Sequence, residues 1–136
     1  MQGPHFPPDY FGLYLEYTLL PPEAPEGLPR GAMTIAERHL SAAGQVAHGG
    51  AIYSLMDYAL GAAIFSRFTS PLERCSTVEL HMHYCRPAAL GRRLVVTPTL
   101  LHRGRTLVRM EGKMHDDTGA LVGFATGTFN LYVLKG

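Results

Sequence analysis

The sequence predicts an α+β domain in which an antiparallel sheet surrounds one long apolar helix. Three observations lead to this fold class: short strand-like segments at the start, one apolar stripe with helical spacing, and a series of alternating segments joined by turns. The chain has 136 residues, of which 46% are hydrophobic, so one domain with a sizeable core is expected. We therefore treat residues 1–136 as a single domain, with residues 1–9 irregular.

The segments before the helix are separated by prolines, which are frequent in the first thirty residues. Residues 11–20 (FGLYLEYTLL) are aromatic enough to predict a short strand. Residues 31–40 (GAMTIAERHL) fit either a strand or a helix by periodicity alone. A strand is favoured because the following SAAG segment is typical of a loop.

The clearest element is an apolar helix that begins just after Gly49 and Gly50 and ends near Phe68. Its apolar residues recur with the spacing of one helix face: Ile52, Leu55, Met56, Ala59, Leu60, Ala63 and Ile64. This stripe predicts an α-helix of about four turns.

The rest of the chain alternates between apolar and polar residues, which predicts strands. In the first of these, Val78, Leu80, Met82 and Tyr84 form the apolar set, and Pro87 ends the strand. The later strands are predicted at residues 93–101, 108–115 and 121–133, with turns at residues 102–105 and 116–119. The sequence thus predicts an antiparallel meander around the helix.

Composition excludes several classes of protein. Twelve basic residues against eleven acidic ones give a net charge of +1, which argues against a nucleic-acid protein driven by bulk positive charge. The first ten residues lack the features of a secretory leader, and the longest apolar stretch is interrupted by polar residues, so no membrane span is expected. Cys75 and Cys85 are too few for a disulfide framework. His81 and His83 lack a third metal ligand by spacing, and we predict a reduced, cytoplasmic protein without a metal.

Asp57 is the most unusual residue of the helix. It is the only formally charged residue within residues 39–66, and it has Tyr53 and Gly61 one turn to either side. An aspartate in this position lies either on a solvated face or in the wall of a protected pocket. In a pocket, a desolvated carboxylate can act as a base or a nucleophile.

His48, Gly49 and Gly50 form the start of the helix. Free N–H groups at the positive end of a helix dipole suit an anion or a developing oxyanion, although a plain turn is the simpler interpretation. Asp57 follows Gly49 by eight residues, or about 12 Å along the axis. A reacting carbonyl must lie about 3 Å from both its attacker and its oxyanion donor. One helix therefore cannot supply both groups, whereas two antiparallel copies across a dimer axis can.

Residues 48–57 (HGGAIYSLMD) resemble the HGG-x6-D signature of hotdog-fold thioesterases of the phenylacetate-degradation type. Residues 77–88 (TVELHMHYCRPA) and 125–129 (ATGTF) extend the resemblance, which covers roughly residue 10 to the end. It implies a curved antiparallel sheet wrapped around the long helix, and two such units paired into a dimer with one continuous sheet. Dimers of this family often stack into tetramers. The implied activity is hydrolysis of acyl-CoA to a carboxylic acid and free CoA, without a cofactor.

The resemblance also implies roles for individual residues. Gly49 matches the glycine whose N–H polarises the thioester carbonyl, Asp57 the catalytic base or nucleophile, and Thr77 the hydroxyl that orients water. His48 matches the motif histidine, which we interpret as mainly structural. Ala42 departs from the pattern, because many relatives carry Asn or Gln there, and loss of such a donor can reduce the rate by about 10².

Further substrate contacts are predicted less directly. Gly50 is expected to help Gly49, and Ser41, Gln45 or a backbone group to replace the polar residue missing at position 42. The hairpin arginines suit CoA phosphates, although a solvated turn is the simpler interpretation. The residues predicted to bind the acyl group or the phosphates are Leu55, Met56, Met82, Arg103 and Arg105.

Two other functions remain open at this point. One is an enoyl-thioester hydratase or dehydratase, for which His48 is poorly placed. The other is a non-catalytic module that binds or senses acyl-CoA, which Ala42 favours and which Asp57 and Thr77 disfavour. The acyl group is not defined, since aryl-acetyl, benzoyl and medium-chain groups all fit an apolar pocket.

Overall fold

The computed structural model describes residues 9–135, so of the predicted irregular segment at residues 1–9 only Asp9 is included. Its centre is one long helix packed on a six-stranded antiparallel sheet, in the strand order β1-β2-β4-β5-β6-β3. The helices are α1 (Tyr10–Leu15) and α2 (Gly49–Phe65), with a short 3-10 turn at Glu37–His39. The strands are β1 (Thr18–Leu20), β2 (Arg30–Thr34), β3 (Glu73–Tyr84), β4 (Arg93–Arg103), β5 (Leu107–Asp116) and β6 (Leu121–Val133). The predicted α+β hotdog architecture is confirmed.

The core lies between α2 and the inner face of the sheet. All seven residues of the predicted apolar stripe are buried, and no other residue of α2 is. The helix ends at Phe65, slightly before the predicted end near Phe68, which is itself buried. Among residues 9–135, no helix is both long enough and apolar enough to cross a membrane.

The strand predicted at residues 11–20 is wrong for its first half, which forms α1. The Asp9 carboxylate accepts the Gly12 N–H at 3.0 Å and caps the start of this helix. Glu16, with a φ of 59°, ends it in the left-handed conformation. Only Thr18–Leu20 is strand. A local cap therefore outweighed the strand preference of the aromatic residues.

The strand predicted at residues 31–40 is correct only as far as Thr34. Beyond it the chain turns around His39, whose buried imidazole Nδ1 accepts the Ala36 N–H at 2.9 Å. The same ring contacts the Leu15 carbonyl through Nε2, also at 2.9 Å. This histidine thus shapes the turn and holds the end of α1 against it.

Strand β3 forms one edge of the sheet and contains a bulge. Its pairing with β6 shifts register between Thr77 and Glu79, so Val78 is the additional residue. The predicted alternation places Val78 on the apolar face, but its side chain is 60% exposed, whereas Leu80 is buried. Because of this shift, Thr77 and Leu80 both face α2 although they are three residues apart.

Gly31→Ala is expected to lower the free energy of unfolding by about 1–3 kcal/mol through overpacking. The added Cβ would lie 2.7 Å from the Cβ and 3.2 Å from the Cα of Ala59, atoms that cannot rotate away. Gly61→Ala is the matched control: its Cβ would meet no atom within 4 Å, and it should raise stability by about 0.5–1 kcal/mol. Urea unfolding checks both, and equal midpoints for the two variants would contradict the close contact between β2 and α2.

Candidate active site

Asp57 and Thr77 form a hydrogen-bonded pair between α2 and β3. The Thr77 Oγ1 donates to Asp57 Oδ1 at 2.6 Å. Within residues 9–135, the second carboxylate oxygen of Asp57 has no hydrogen-bond donor, and the carboxylate is half-buried. One oxygen is therefore held in place while the other is free to accept a proton.

The pair lies in the wall of a cavity of about 590 Å³. Most of the wall is apolar, and Gly61, one turn after Asp57, belongs to it. The other wall residues are Asp9, Leu19, Tyr58, Ala62, Phe65, Ser66, Cys75 and Phe129. Of the two interpretations of Asp57, the structure supports the pocket wall over the solvated face.

Cys75 lies two residues before Thr77 on the same face of β3 and lines the same cavity. Burial, followed by the negative charge of Asp57, raises the pKa of its thiol to about 11. The thiol is therefore protonated at neutral pH and is a poor nucleophile. Of the two groups, the Asp57 carboxylate is therefore the candidate base or nucleophile.

The start of α2 presents one free N–H group. His48 is the N-cap, and its Nδ1 accepts the Gly50 N–H at 2.8 Å. Through this bond His48 caps the helix, and the Gly50 N–H, which was expected to help Gly49 as a donor, is already engaged within the protomer. Within the described part of the chain the Gly49 N–H has no acceptor, and Gly49 is exposed.

The start of α2 is hydrogen-bonded to β3 by two tyrosines. Neither tyrosine was predicted from the sequence to have a site role. The Tyr84 hydroxyl donates to the Gly49 carbonyl at 2.8 Å, and the Tyr53 hydroxyl donates to the Leu80 carbonyl at 3.0 Å. Desolvation, followed by the proximity of Tyr53, raises the pKa of Tyr84. The apolar alternation of β3 marks Tyr84 as facing the helix, but which backbone group it reaches is not visible in a sequence.

Gly49 and Asp57 lie on one helix, eight residues apart, which is about 12 Å. The structure thus does not bring them together within one protomer. Ser41, one candidate to replace the amide absent at Ala42, is engaged elsewhere. The Ser41 hydroxyl bonds within its own turn, to the Val46 carbonyl and the Ala43 N–H.

The residues predicted to line an acyl tunnel lie elsewhere. Leu55 and Met56 are completely buried in the core, and Met82 packs against it; none of the three borders the Asp57 cavity. The helical spacing identifies them as apolar but does not distinguish core from cavity. In the structure the cavity wall on α2 is formed by the neighbouring face, which carries Gly61 and Phe65.

Arg103 and Arg105 also lie apart from this cavity. They border a separate depression of about 130 Å³ beyond the end of α2. Phe68, Glu73, Arg74 and Tyr132 border it as well. The depression is basic on balance, as the predicted phosphate role requires.

Comparison with known proteins identifies the class. A sequence profile of the thioesterase superfamily matches residues 44–122, more than half of the chain, and the chain belongs to the thioesterase superfamily. This match includes Gly49, Asp57 and Thr77, and it confirms the predicted membership of a family of thioester hydrolases.

Two solved structures share the fold of this chain. The structure is similar to that of Escherichia coli PaaI, a protein of the phenylacetic acid degradation operon (TM-score 0.79, 21% identity, 94% of this chain and 86% of that one). It is also similar to a hypothetical thioesterase of Streptococcus pneumoniae solved with coenzyme A (TM-score 0.74, 21% identity, 88% and 91%). These two likenesses show the shared fold.

A curated relative adds a match in sequence. A Deinococcus radiodurans protein named "Putative esterase" is 39% identical over 85 residues, or 62% of this chain. The chain spans about half the length of that relative (54%).

Proposed function

We propose that this protein hydrolyses acyl-CoA thioesters to a carboxylic acid and free CoA, in an active site shared between two protomers. The observation that carries the proposal is the Thr77–Asp57 hydrogen bond in the wall of an apolar cavity. The coenzyme A bound in the streptococcal relative supports CoA as the thiol part of the substrate. Superfamily membership supports hydrolysis as the reaction.

In the proposed reaction, the thioester carbonyl lies beside Asp57, and a water molecule lies between them. The free oxygen of Asp57 takes a proton from this water as the water oxygen attacks the carbonyl carbon. Thr77 holds the other carboxylate oxygen and orients the group. The C–S bond then breaks, and the proton held by Asp57 passes to the CoA thiolate. In the alternative route the free oxygen of Asp57 attacks the carbonyl carbon directly, the C–S bond breaks to release the CoA thiolate, and water then hydrolyses the resulting mixed anhydride to the acid and free Asp57.

The negative oxygen of the tetrahedral intermediate needs a donor, and the free Gly49 N–H at the positive end of α2 suits it. Because this group lies about 12 Å from Asp57 of its own helix, we assign it to the other protomer. A two-fold axis perpendicular to β3 would pair two copies of this strand antiparallel and would also reverse α2. Gly49 of one protomer would then face Asp57 of its partner.

The outer edge of β3 supports such a dimer. The strand is 12 residues long and stands last in the sheet order, so its second edge is unpaired within the described chain. Long unpaired edges favour pairing with another chain. Val78 and Tyr84 on this strand are 60% and 50% exposed. Pairing through β3 would give one continuous sheet, and stacking of two dimers would give the tetramer that the family resemblance implies.

Arg103 and Arg105 are proposed to bind the CoA phosphates. Arg74 borders the same depression and adds a third guanidinium group. Guanidinium groups match phosphate geometry through paired hydrogen bonds.

The principal alternative is binding of acyl-CoA without turnover. Ala42 favours it, because it leaves the thioester carbonyl with one donor fewer. Thiol release from a panel of acyl-CoA esters, measured beside ligand-induced thermal stabilisation, tests the proposal. Turnover supports a thioesterase, whereas stabilisation without any thiol release would support a binding module instead.

Thr77→Val should reduce kcat by about tenfold or more, because it removes a hydrogen bond to a charged group while keeping the side-chain shape. The initial rate of thiol release at a saturating concentration of an acyl-CoA ester measures this effect. Ser76→Ala is the matched control, since Ser76 is the adjacent hydroxyl and bonds instead to Tyr132, at 3.3 Å. Equal kcat values for the two variants would remove Thr77 from the mechanism.

A further inference from the structure

We propose that Gly61 determines acyl specificity, by keeping the Asp57 cavity open to an uncharged, apolar acyl group of medium length. This inference rests on the proposed thioesterase function and assigns its substrate class. It concerns the half of the cavity that lies beyond the reacting atoms, along α2 from Asp57 towards Phe65.

Packing within the protomer does not explain the glycine at position 61. Glycine in the middle of a helix lowers stability relative to alanine, and Gly61 lies in the interior of α2. A Cβ built there would meet no atom within 4 Å, in contrast to Gly31, where it would meet Ala59 at 2.7 Å. The space beside Gly61 is part of the cavity, so the missing side chain serves whatever enters the cavity.

The charges of the wall indicate what can enter. Among the wall residues that the structure describes there is no lysine, arginine or histidine, and the charged side chains are the carboxylates of Asp9 and Asp57. An acyl group that carries its own carboxylate, as in a dicarboxylic acid, would meet two like charges in a partly desolvated space. The surrounding Leu19, Phe65 and Phe129 instead favour a hydrocarbon chain.

The length of the wall sets the size of the acyl group. Asp57 and Phe65 are eight residues apart on α2, which corresponds to about 12 Å. With the thioester carbonyl at Asp57, an octanoyl chain would extend past Gly61 towards Phe65. An acetyl group would leave this part of the cavity empty.

The competing occupant is the pantetheine arm of CoA, which would run along this wall if Arg103 and Arg105 of the same protomer held the phosphates; with the acyl group here, those arginines are supplied by the other protomer. Pantetheine carries two amide groups, which need hydrogen-bond partners when they are buried. Two of the wall hydroxyls already donate elsewhere, Ser66 to the Ala63 carbonyl at 2.6 Å and Thr77 to Asp57, which leaves the Tyr58 hydroxyl and the carboxylates of Asp9 and Asp57 as partners. Because the remainder of the wall is mostly apolar, it favours a hydrocarbon chain over the pantetheine amides.

Thiol release from acetyl-, hexanoyl-, octanoyl-, decanoyl- and succinyl-CoA tests the inference, with wild type beside Gly61→Ala and Gly61→Leu. We expect wild type to prefer octanoyl- over acetyl- and succinyl-CoA. Gly61→Leu should lose at least tenfold more kcat/KM on octanoyl-CoA than on acetyl-CoA. The loss in Gly61→Ala should lie between those of wild type and Gly61→Leu. Melting temperatures confirm that each variant is folded.

Three results would overturn the inference. A uniform rise in KM for every ester in Gly61→Leu would place pantetheine in the cavity. An unchanged chain-length profile would show that the acyl group lies elsewhere. Absence of thiol release by wild type from every ester of this panel would overturn the specificity assignment, and absence of release from phenylacetyl- and benzoyl-CoA as well would overturn the proposed function itself.

Discussion

Asp57→Asn is expected to lower kcat for acyl-CoA hydrolysis by about 10²- to 10⁴-fold, the range typical for loss of a general base. Asparagine has nearly the same shape, and its amide oxygen can still accept the Thr77 hydroxyl that Asp57 accepts at 2.6 Å. It cannot take a proton from water or attack the thioester. Thiol release under saturating substrate measures the loss, and an unchanged melting temperature attributes it to chemistry.

Asp9→Asn is the control for charge in the same cavity. Asp9 lines the cavity as Asp57 does, but its carboxylate caps α1 at the Gly12 N–H, a role that asparagine also fills. We expect less than a tenfold change in kcat. If Asp57→Asn keeps more than a tenth of wild-type kcat, Asp57 is neither the base nor the nucleophile.

Gly49→Pro is expected to lower kcat by about 10²- to 10³-fold, the usual effect of removing one oxyanion donor. Gly49 is the first residue of α2, where proline is well tolerated because its missing N–H has no helical partner. The preceding His48 has φ −63° and ψ 137°, an extended conformation that also precedes proline readily. The substitution therefore removes one N–H group with little disturbance to the helix.

Gly49→Ala keeps the N–H and serves as the matched control. Its Cβ would lie 3.6 Å from the Tyr84 ring and hydroxyl, an ordinary contact distance. We expect kcat within a few-fold of wild type. Equal loss in the alanine and proline variants would attribute the effect to the side chain and exclude the N–H group.

Mixing the Asp57→Asn and Gly49→Pro variants tests whether the site is shared between protomers. In a mixed dimer, one site combines both substitutions, and the other combines an intact Asp57 with an intact Gly49. Random pairing in a two-fold dimer would therefore restore about one quarter of wild-type activity. Activity no higher than the mean of the two separate variants would show that each site lies within one chain.

The sequence was sufficient for the elements whose stability depends on burying one face. The apolar stripe of α2 identified all seven of its buried residues, and β6 was predicted with the bounds that the structure shows, Leu121–Val133. It failed where a single side chain bonds to nearby backbone, as with Asp9 at α1 and His39 after β2. Such bonds leave no periodic signal.

The candidate site was predicted only in part, because contacts between side chains from different elements also leave no periodic signal. A spaced motif identified Asp57 and Thr77, and the structure places them in direct contact. It could not show that the bulge at Val78 allows Thr77 and Leu80 to face the helix together. Nor could helical spacing separate Met56, which is core, from Phe65, which lines the cavity, because that depends on what the rest of the fold covers.

Strand β3 combines three functions in one element. Its bulged middle carries the hydroxyl that holds Asp57, its last residue, Tyr84, fastens the start of α2, and its free edge is the proposed contact between protomers. A change in any one of these is transmitted along a single continuous backbone to the other two. Variants along this strand are therefore expected to lose catalytic rate and subunit association together. For β3, the molecular mass of the oligomer in solution is thus as informative as kcat.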